Sequence, residues 1–129
     1  MYVFSVAVVI KKGNKILGVS RKDDHNDFAI VGGKVDPGET MEEAIRRETM
    51  EETGLDLINL KFQFIRDCIH IDKSSNTTSL KPCAVFTADY KGEINHNEPH
   101  VVEWCSVSKI LEGSFGEFNG YVFDYLGIK

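Results

Sequence analysis

The chain has 129 residues, 42% apolar and 27% charged, which suits one globular domain with a core and excludes wholesale disorder. A net charge of −5 argues against a broad basic face for polymeric nucleic acid, but leaves a small anionic ligand open where a divalent cation supplies positive charge. No apolar run approaches the ~18–20 residues that span a bilayer, so no membrane partner is expected.

Residues 2–10 are apolar, without a basic segment before them or a small-residue cleavage site after them. They run into Lys11-Lys12-Gly13-Asn14, which reads as a strand entering a turn rather than a secretion signal. Within them Val6-Ala7-Val8-Val9-Ile10 has the unbroken apolar run of a central strand buried on both faces. Residues 15–20 predict a second strand, 21–27 a polar loop, and 28–31 a brief strand leading to Gly32-Gly33. Asp36-Pro37-Gly38 is a turn, since Pro presets one backbone angle and Gly permits a positive one. Thr40-Met41-Glu42-Glu43 has the form of a capping box, so a helix starts after Thr40 and runs to a natural stop at Gly54.

Farther on, residues 61–71 and 81–90 are β-rich, with a polar loop over 73–79 between them. Pro99 opens another strand containing Val101, Val102 and Trp104; residues 107–111 predict a helical turn and 118–126 a C-terminal helix. Strands on both sides of one strong helix imply an α/β class with a mixed sheet, in a single domain over residues 1–129. Cys68, Cys83 and Cys105 are odd in number, widely spaced and without a C-x-x-C pair, as expected of reduced packing residues in a cytoplasmic protein.

The anomaly lies in the central helix. Between Glu39 and Glu52 stand six glutamates against Arg46 and Arg47, and Glu48, Glu51 and Glu52 share one helix face. Like charges at ~5–6 Å repel by about 3 kcal/mol at an effective dielectric of ~20. Glu51 and Glu52 also fall in the last turn, where the helix dipole disfavours negative charge. A solvated acidic face is the plain alternative, but a local rule broken this way marks a candidate functional site. Hard carboxylate oxygens suit Mg²⁺ or Mn²⁺, and Mg²⁺ commonly binds substrate phosphates as well.

Gly33-Lys34-Val35-Asp36-Pro37-Gly38-Glu39, seven further residues and Arg47-Glu48-Thr49-Met50-Glu51-Glu52-Thr53-Gly54-Leu55 resemble the Nudix box, G-x5-E-x7-R-E-U-x-E-E-x-G-U with U aliphatic. Thr49 departs from the aliphatic U, and Val31 stands where Pro is common ahead of Gly32-Gly33. The resemblance implies a MutT-like member with a three-layer α/β/α sandwich, hydrolysing a nucleotide diphosphate linkage with Mg²⁺, or Mn²⁺ in its place. It assigns Glu48, Glu51 and Glu52 to the metal, with the carbonyl of Gly32 or Gly33 as a further ligand. Arg47 matches an arginine that orients a neighbouring carboxylate, and Glu39 an outer glutamate. The proton acceptor is Glu51 or Glu52, with Glu98 as the loop alternative and Glu103 as its competitor. Lys34 is a phosphate candidate, while Arg21, Phe28 and Asn119 are base-recognition candidates by analogy. Trp104 reads as core, and His25, His70, His96 and His100 have no ligand spacing.

The substrate expected of a compact MutT-like chain is a nucleoside triphosphate, cleaved to a monophosphate and pyrophosphate. The alternatives are an ADP-ribose or nucleoside-diphosphate-sugar hydrolase, and a non-catalytic nucleotide-sensing Nudix domain. A homodimer is compatible with either.

Overall fold

The computed structural model describes residues 2–72, 74–96 and 99–129. Glu98, one of the proton-acceptor candidates, therefore lies outside the described residues. The elements in chain order are β1 (Ser5–Lys12), β2 (Lys15–Ser20), β3 (Phe28–Lys34), α1 (Met41–Thr53), β4 (Asp56–Asp72), β5 (Thr77–Lys91), β6 (Val102–Cys105), α2 (Val107–Leu111) and α3 (Gly116–Leu126).

One mixed sheet has the order β4-β5-β1-β3-β2-β6. β1 is central, parallel to β5 and antiparallel to β3. Its residues alternate between two cores, which explains the unbroken apolar run. Val6, Val8 and Ile10 join Ala44 and Ile45 of α1 on one side. Ala7 and Val9 join Ile110, Val122 and Phe123 of α2 and α3 on the other. Each large apolar side chain buried this way contributes about 1.5–3 kcal/mol. The sandwich has three layers, with α1 on one face and α2 and α3 on the opposite one.

The β4–β5 hairpin is longer than the sequence predicts. β4 begins at Asp56 rather than residue 61, and β5 takes in Thr77–Ser79, so the expected polar loop shrinks to a turn ending at Asn76. The early part of β4 is hidden from pattern reading because Asn59 sits at φ +53° and the register slips between Ile58/Lys61 and Phe62/Phe64. Such bulges interrupt the two-residue alternation that announces a strand. The hairpin also reaches past the end of β1, whose pairing with β5 starts at Ser5↔Cys83. Its far end therefore borders the site rather than the core.

Candidate active site

Helix α1 is fixed at both ends. The Thr40 hydroxyl accepts from the Glu43 amide at 3.1 Å, while the Glu43 carboxylate accepts from the Thr40 amide at 2.9 Å. At the other end Gly54, at φ +79°, returns its amide to the Met50 carbonyl. Ile45, Thr49 and Thr53 recur every four residues and are fully buried against the sheet. Thr49, the departure from an aliphatic residue, buries its hydroxyl by donating to the Ile45 carbonyl at 2.7 Å.

Glu48 and Glu52 flank this buried stripe and so lie half-buried over β3, while Glu51 faces solvent. Gly33 lets the helix come this close, while Gly32 lets β3 lie tightly against β1. A Cβ on Gly32 would strike the Val6 carbonyl, and one on Gly33 would fall on the Glu48 carboxyl group. The Gly32 amide donates to Glu52 at 3.2 Å. Burial, with the charge of Glu48 adding to it, pushes the Glu52 carboxyl up to about 8 against the opposing pull of that amide. Burial also raises Glu48, although Arg47 works in the other direction.

Arg47 ties the acidic residues together. Its guanidinium donates to Glu39 at 2.7 and 3.0 Å, to Glu48 at 3.0 Å, to Glu51 at 3.1 Å and to the Lys34 carbonyl at 2.9 Å. These bonds hold the Glu39 carboxyl below the usual carboxylate range. With Glu48 and Glu51 turned onto Arg47, no three His, Cys, Asp or Glu side chains among the described residues converge to hold a cation. The donor set nevertheless fits a hard divalent ion in kind: carboxylates, two of them partly desolvated, beside backbone carbonyls at Gly32 and Gly33. Rotation of Glu48 and Glu51 away from Arg47 is what such an ion would require.

Glu52, Gly32 and Gly33 open onto a cleft of about 300 Å³ that crosses the sheet. Toward β2 and α3 the cleft is lined by Arg21, Phe115, Phe118 and Asn119; toward the hairpin, by Phe4, Lys34, Cys68, His70 and Lys81. Asn119 is 1% exposed, and its Nδ2 has no hydrogen-bond partner. A buried amide left unsatisfied costs about 1–3 kcal/mol, so it stands ready to donate to whatever fills the cleft. Arg21 also lines the cleft, but it is engaged with Asp23 at 3.0 Å.

Two sequence expectations are corrected. Phe28 is 1% exposed and belongs to the core beneath Lys109, whose Nζ lies 4.6 Å from the ring centroid, so it offers no face to a base. Glu103 is paired with Lys109 at 2.7 Å on β6 and does not line the cleft. Sequence reading missed Phe4, His70 and Lys81 as cleft residues, because only the β1–β5 register and the hairpin length bring them there. It also passed over His100, whose Nε2 meets the Glu52 carbonyl at 3.0 Å and so engages the end of α1. Trp104 packs on the core as expected, 5.3 Å from the Tyr90 ring.

A family model described as NUDIX domain matches residues 1–126. An oxidized purine nucleoside triphosphate hydrolase of Danio rerio is 32% identical over 117 residues, covering 82% of this chain and 67% of that protein. An ADP-ribose pyrophosphatase of Methanocaldococcus jannaschii is 53% identical over 49 residues, which is 36% of this chain and 29% of that one. The chain thus spans two thirds of one relative's length and under a third of the other's. Among solved structures, a mutator MutT protein from Bacillus halodurans superposes with a TM-score of 0.74 at 21% identity, covering 95% of this chain and 80% of that one, a likeness of fold. The glutamate-bearing helix on its glycine strand, the sandwich around it and the match over nearly the whole chain lead to one conclusion: the chain belongs to the Nudix hydrolase family.

Proposed function

We propose that this protein hydrolyses a nucleoside triphosphate to a monophosphate and pyrophosphate, using Mg²⁺ or Mn²⁺ held by Glu48, Glu51, Glu52 and the Gly33 carbonyl. The observation that carries the reading is the joining of two features in one cleft. Glu52 and Asn119 both line it, and the Asn119 Nδ2 has no hydrogen-bond partner. A divalent ion bound there would neutralise phosphate oxygens and ease the deprotonation of an attacking water.

The chain's own residues supply the rest. Arg47 gathers Glu39, Glu48 and Glu51 around one guanidinium; on metal binding it would keep Glu39 while Glu48 and Glu51 turn to the ion. Glu51 or Glu52 on the helix, or Glu98 outside the described residues, takes the proton from water. Lys34 meets phosphate, and Arg21 and Asn119 contact the base, with the Asn119 Nδ2 donating to a base acceptor. The Danio rerio relative, named as a nucleoside triphosphate hydrolase, supports the triphosphate class. The free thiols fit a cytoplasmic setting.

ADP-ribose hydrolysis is the second reading, favoured by the local 53% identity to the Methanocaldococcus jannaschii pyrophosphatase. A substrate panel in Mg²⁺, with and without chelator, separates the two. The expected outcome is monophosphate plus pyrophosphate from a triphosphate, with activity abolished by chelator and restored by Mg²⁺. In labelled water, ¹⁸O should enter the pyrophosphate, reporting attack at the middle phosphorus. Good turnover of ADP-ribose with none of any triphosphate would refute the substrate class. Full activity in metal-free buffer would sink the metal mechanism.

A further inference from the structure

Phe4 is pinned between two strands. Its amide donates to the Pro82 carbonyl of β5 at 2.9 Å, and its carbonyl accepts from the Val35 amide, just past β3, at 3.0 Å. Lys81 and Lys34 both reach this ring, their ammonium groups lying 5.7 and 5.6 Å from its centroid. The His70 ring meets the same phenyl edge-on at 4.7 Å. All four residues line the cleft that contains Glu52 and Gly33.

In a chain of net charge −5, two ammonium groups share one ring inside the cleft. Arg21, Arg47 and Lys109 each have a carboxylate partner. Among the described residues Lys34 and Lys81 have none, and both amines crowd one ring instead. An anion entering the cleft would meet both ammonium charges on its wall. The nearest chemistry is the glutamate helix, since Lys34 follows Gly33, over which the Glu48 carboxylate lies.

We propose that Lys81, with Lys34 at the same Phe4 ring, forms a subsite for the terminal phosphates of a nucleoside triphosphate. The β4–β5 hairpin then selects substrates that end in phosphate over those that end in a sugar. This rests on the triphosphate reading above and names a residue that distinguishes it from the ADP-ribose reading. Lysine serves here as a compact charge that can follow a mobile phosphate, where a planar arginine fork would fix one geometry. The base end of the substrate extends the other way, toward Asn119.

The test is Lys81→Gln, with Lys81→Arg beside it. Lys81 lies at the cleft rim and is only half-buried, so melting should stay that of the parent. Lys81→Gln should raise KM for a triphosphate about tenfold, the scale of one charge-assisted hydrogen bond, with kcat little changed. KM for ADP-ribose should stay within about twofold, and Lys81→Arg should recover most of the loss. Calorimetry with tripolyphosphate and Mg²⁺ reads the subsite without any nucleoside, and should show the same weakening. Equal KM increases for triphosphate and ADP-ribose, or unchanged tripolyphosphate binding, would overturn the proposal. If the parent turns over ADP-ribose and no triphosphate, the substrate reading fails by itself. The tripolyphosphate arm then still decides the subsite, which stands if Lys81→Gln weakens binding and falls if it does not.

Discussion

Glu52 sits between two opposing demands. Its place beside the buried stripe of α1 takes it out of water, and the neighbouring Glu48 charge repels its ionised form; the Gly32 amide and, more weakly, the Lys22 charge favour the carboxylate. A carboxyl pushed up to about 8 from 4.5 binds its proton more tightly in the folded chain than in the unfolded one. The stability from this group is fully present below about 4.5 and is lost as pH rises through about 8. Glu52→Gln keeps an acceptor for the Gly32 amide and cannot ionise. In metal-free buffer the variant should therefore melt with the parent near pH 5 and progressively above it toward pH 8.5, while turnover in Mg²⁺ falls by orders of magnitude. A variant that melts several degrees low at pH 5, yet keeps its turnover per folded molecule, would make Glu52 a structural residue.

At the scale of elements, the contact of α1 with β3 separates two kinds of glycine. A methyl on Gly32 would meet backbone, the Val6 carbonyl and the Ala7 Cα at 3.1 Å, and backbone in a central strand cannot step aside. The nearest atoms a methyl on Gly33 would meet are the end of the Glu48 side chain, which can rotate away. Gly32→Ala should thus cost about 1–3 kcal/mol in urea unfolding. Gly33→Ala should unfold close to the parent while losing Mg²⁺ affinity, because Glu48 is displaced from the cluster. Equal stability losses in the two would show that the Glu48 side chain cannot give way any more than the β1 backbone can. Such contacts were half legible. The capping box, the stop at Gly54 and the spacing of Glu48, Glu51 and Glu52 are local features, so the helix and its acidic face follow from sequence alone. The start of β4 does not, since Asn59 at positive φ breaks the alternation. Nor does the burial of Phe28, because its place at the start of a short strand does not say which neighbour will cover it.

Over the whole molecule, the cleft is a product of register. Phe4, Lys34 and Lys81 come from three separate places in the chain, and the pairing of β1 with both β3 and β5 brings them together. No spacing rule in one sequence encodes that meeting, so the acidic half of the candidate site was readable, while of the basic half Lys34 was named and Lys81 and Phe4 were not. The cysteines test this architecture. All three belong to the core on the α2–α3 side, with Cys68 half-buried at the cleft and Cys83 and Cys105 at 4% and 1% exposure. Burial pushes the Cys83 thiol up to about 12 and, with the Glu103 charge adding to it, the Cys105 thiol up to about 11. The thiolate is the reactive form, so both are nearly inert at pH 8 in the folded state and react through opening of the domain. An aromatic disulfide reagent should therefore label one thiol, Cys68, well before the other two, which should react together on unfolding in urea. Triphosphate with Mg²⁺ should slow the Cys68 reaction, because that thiol lines the occupied cleft. Three thiols reacting at one rate would contradict the layered core. A Cys68 rate indifferent to nucleotide would place the substrate somewhere other than this cleft.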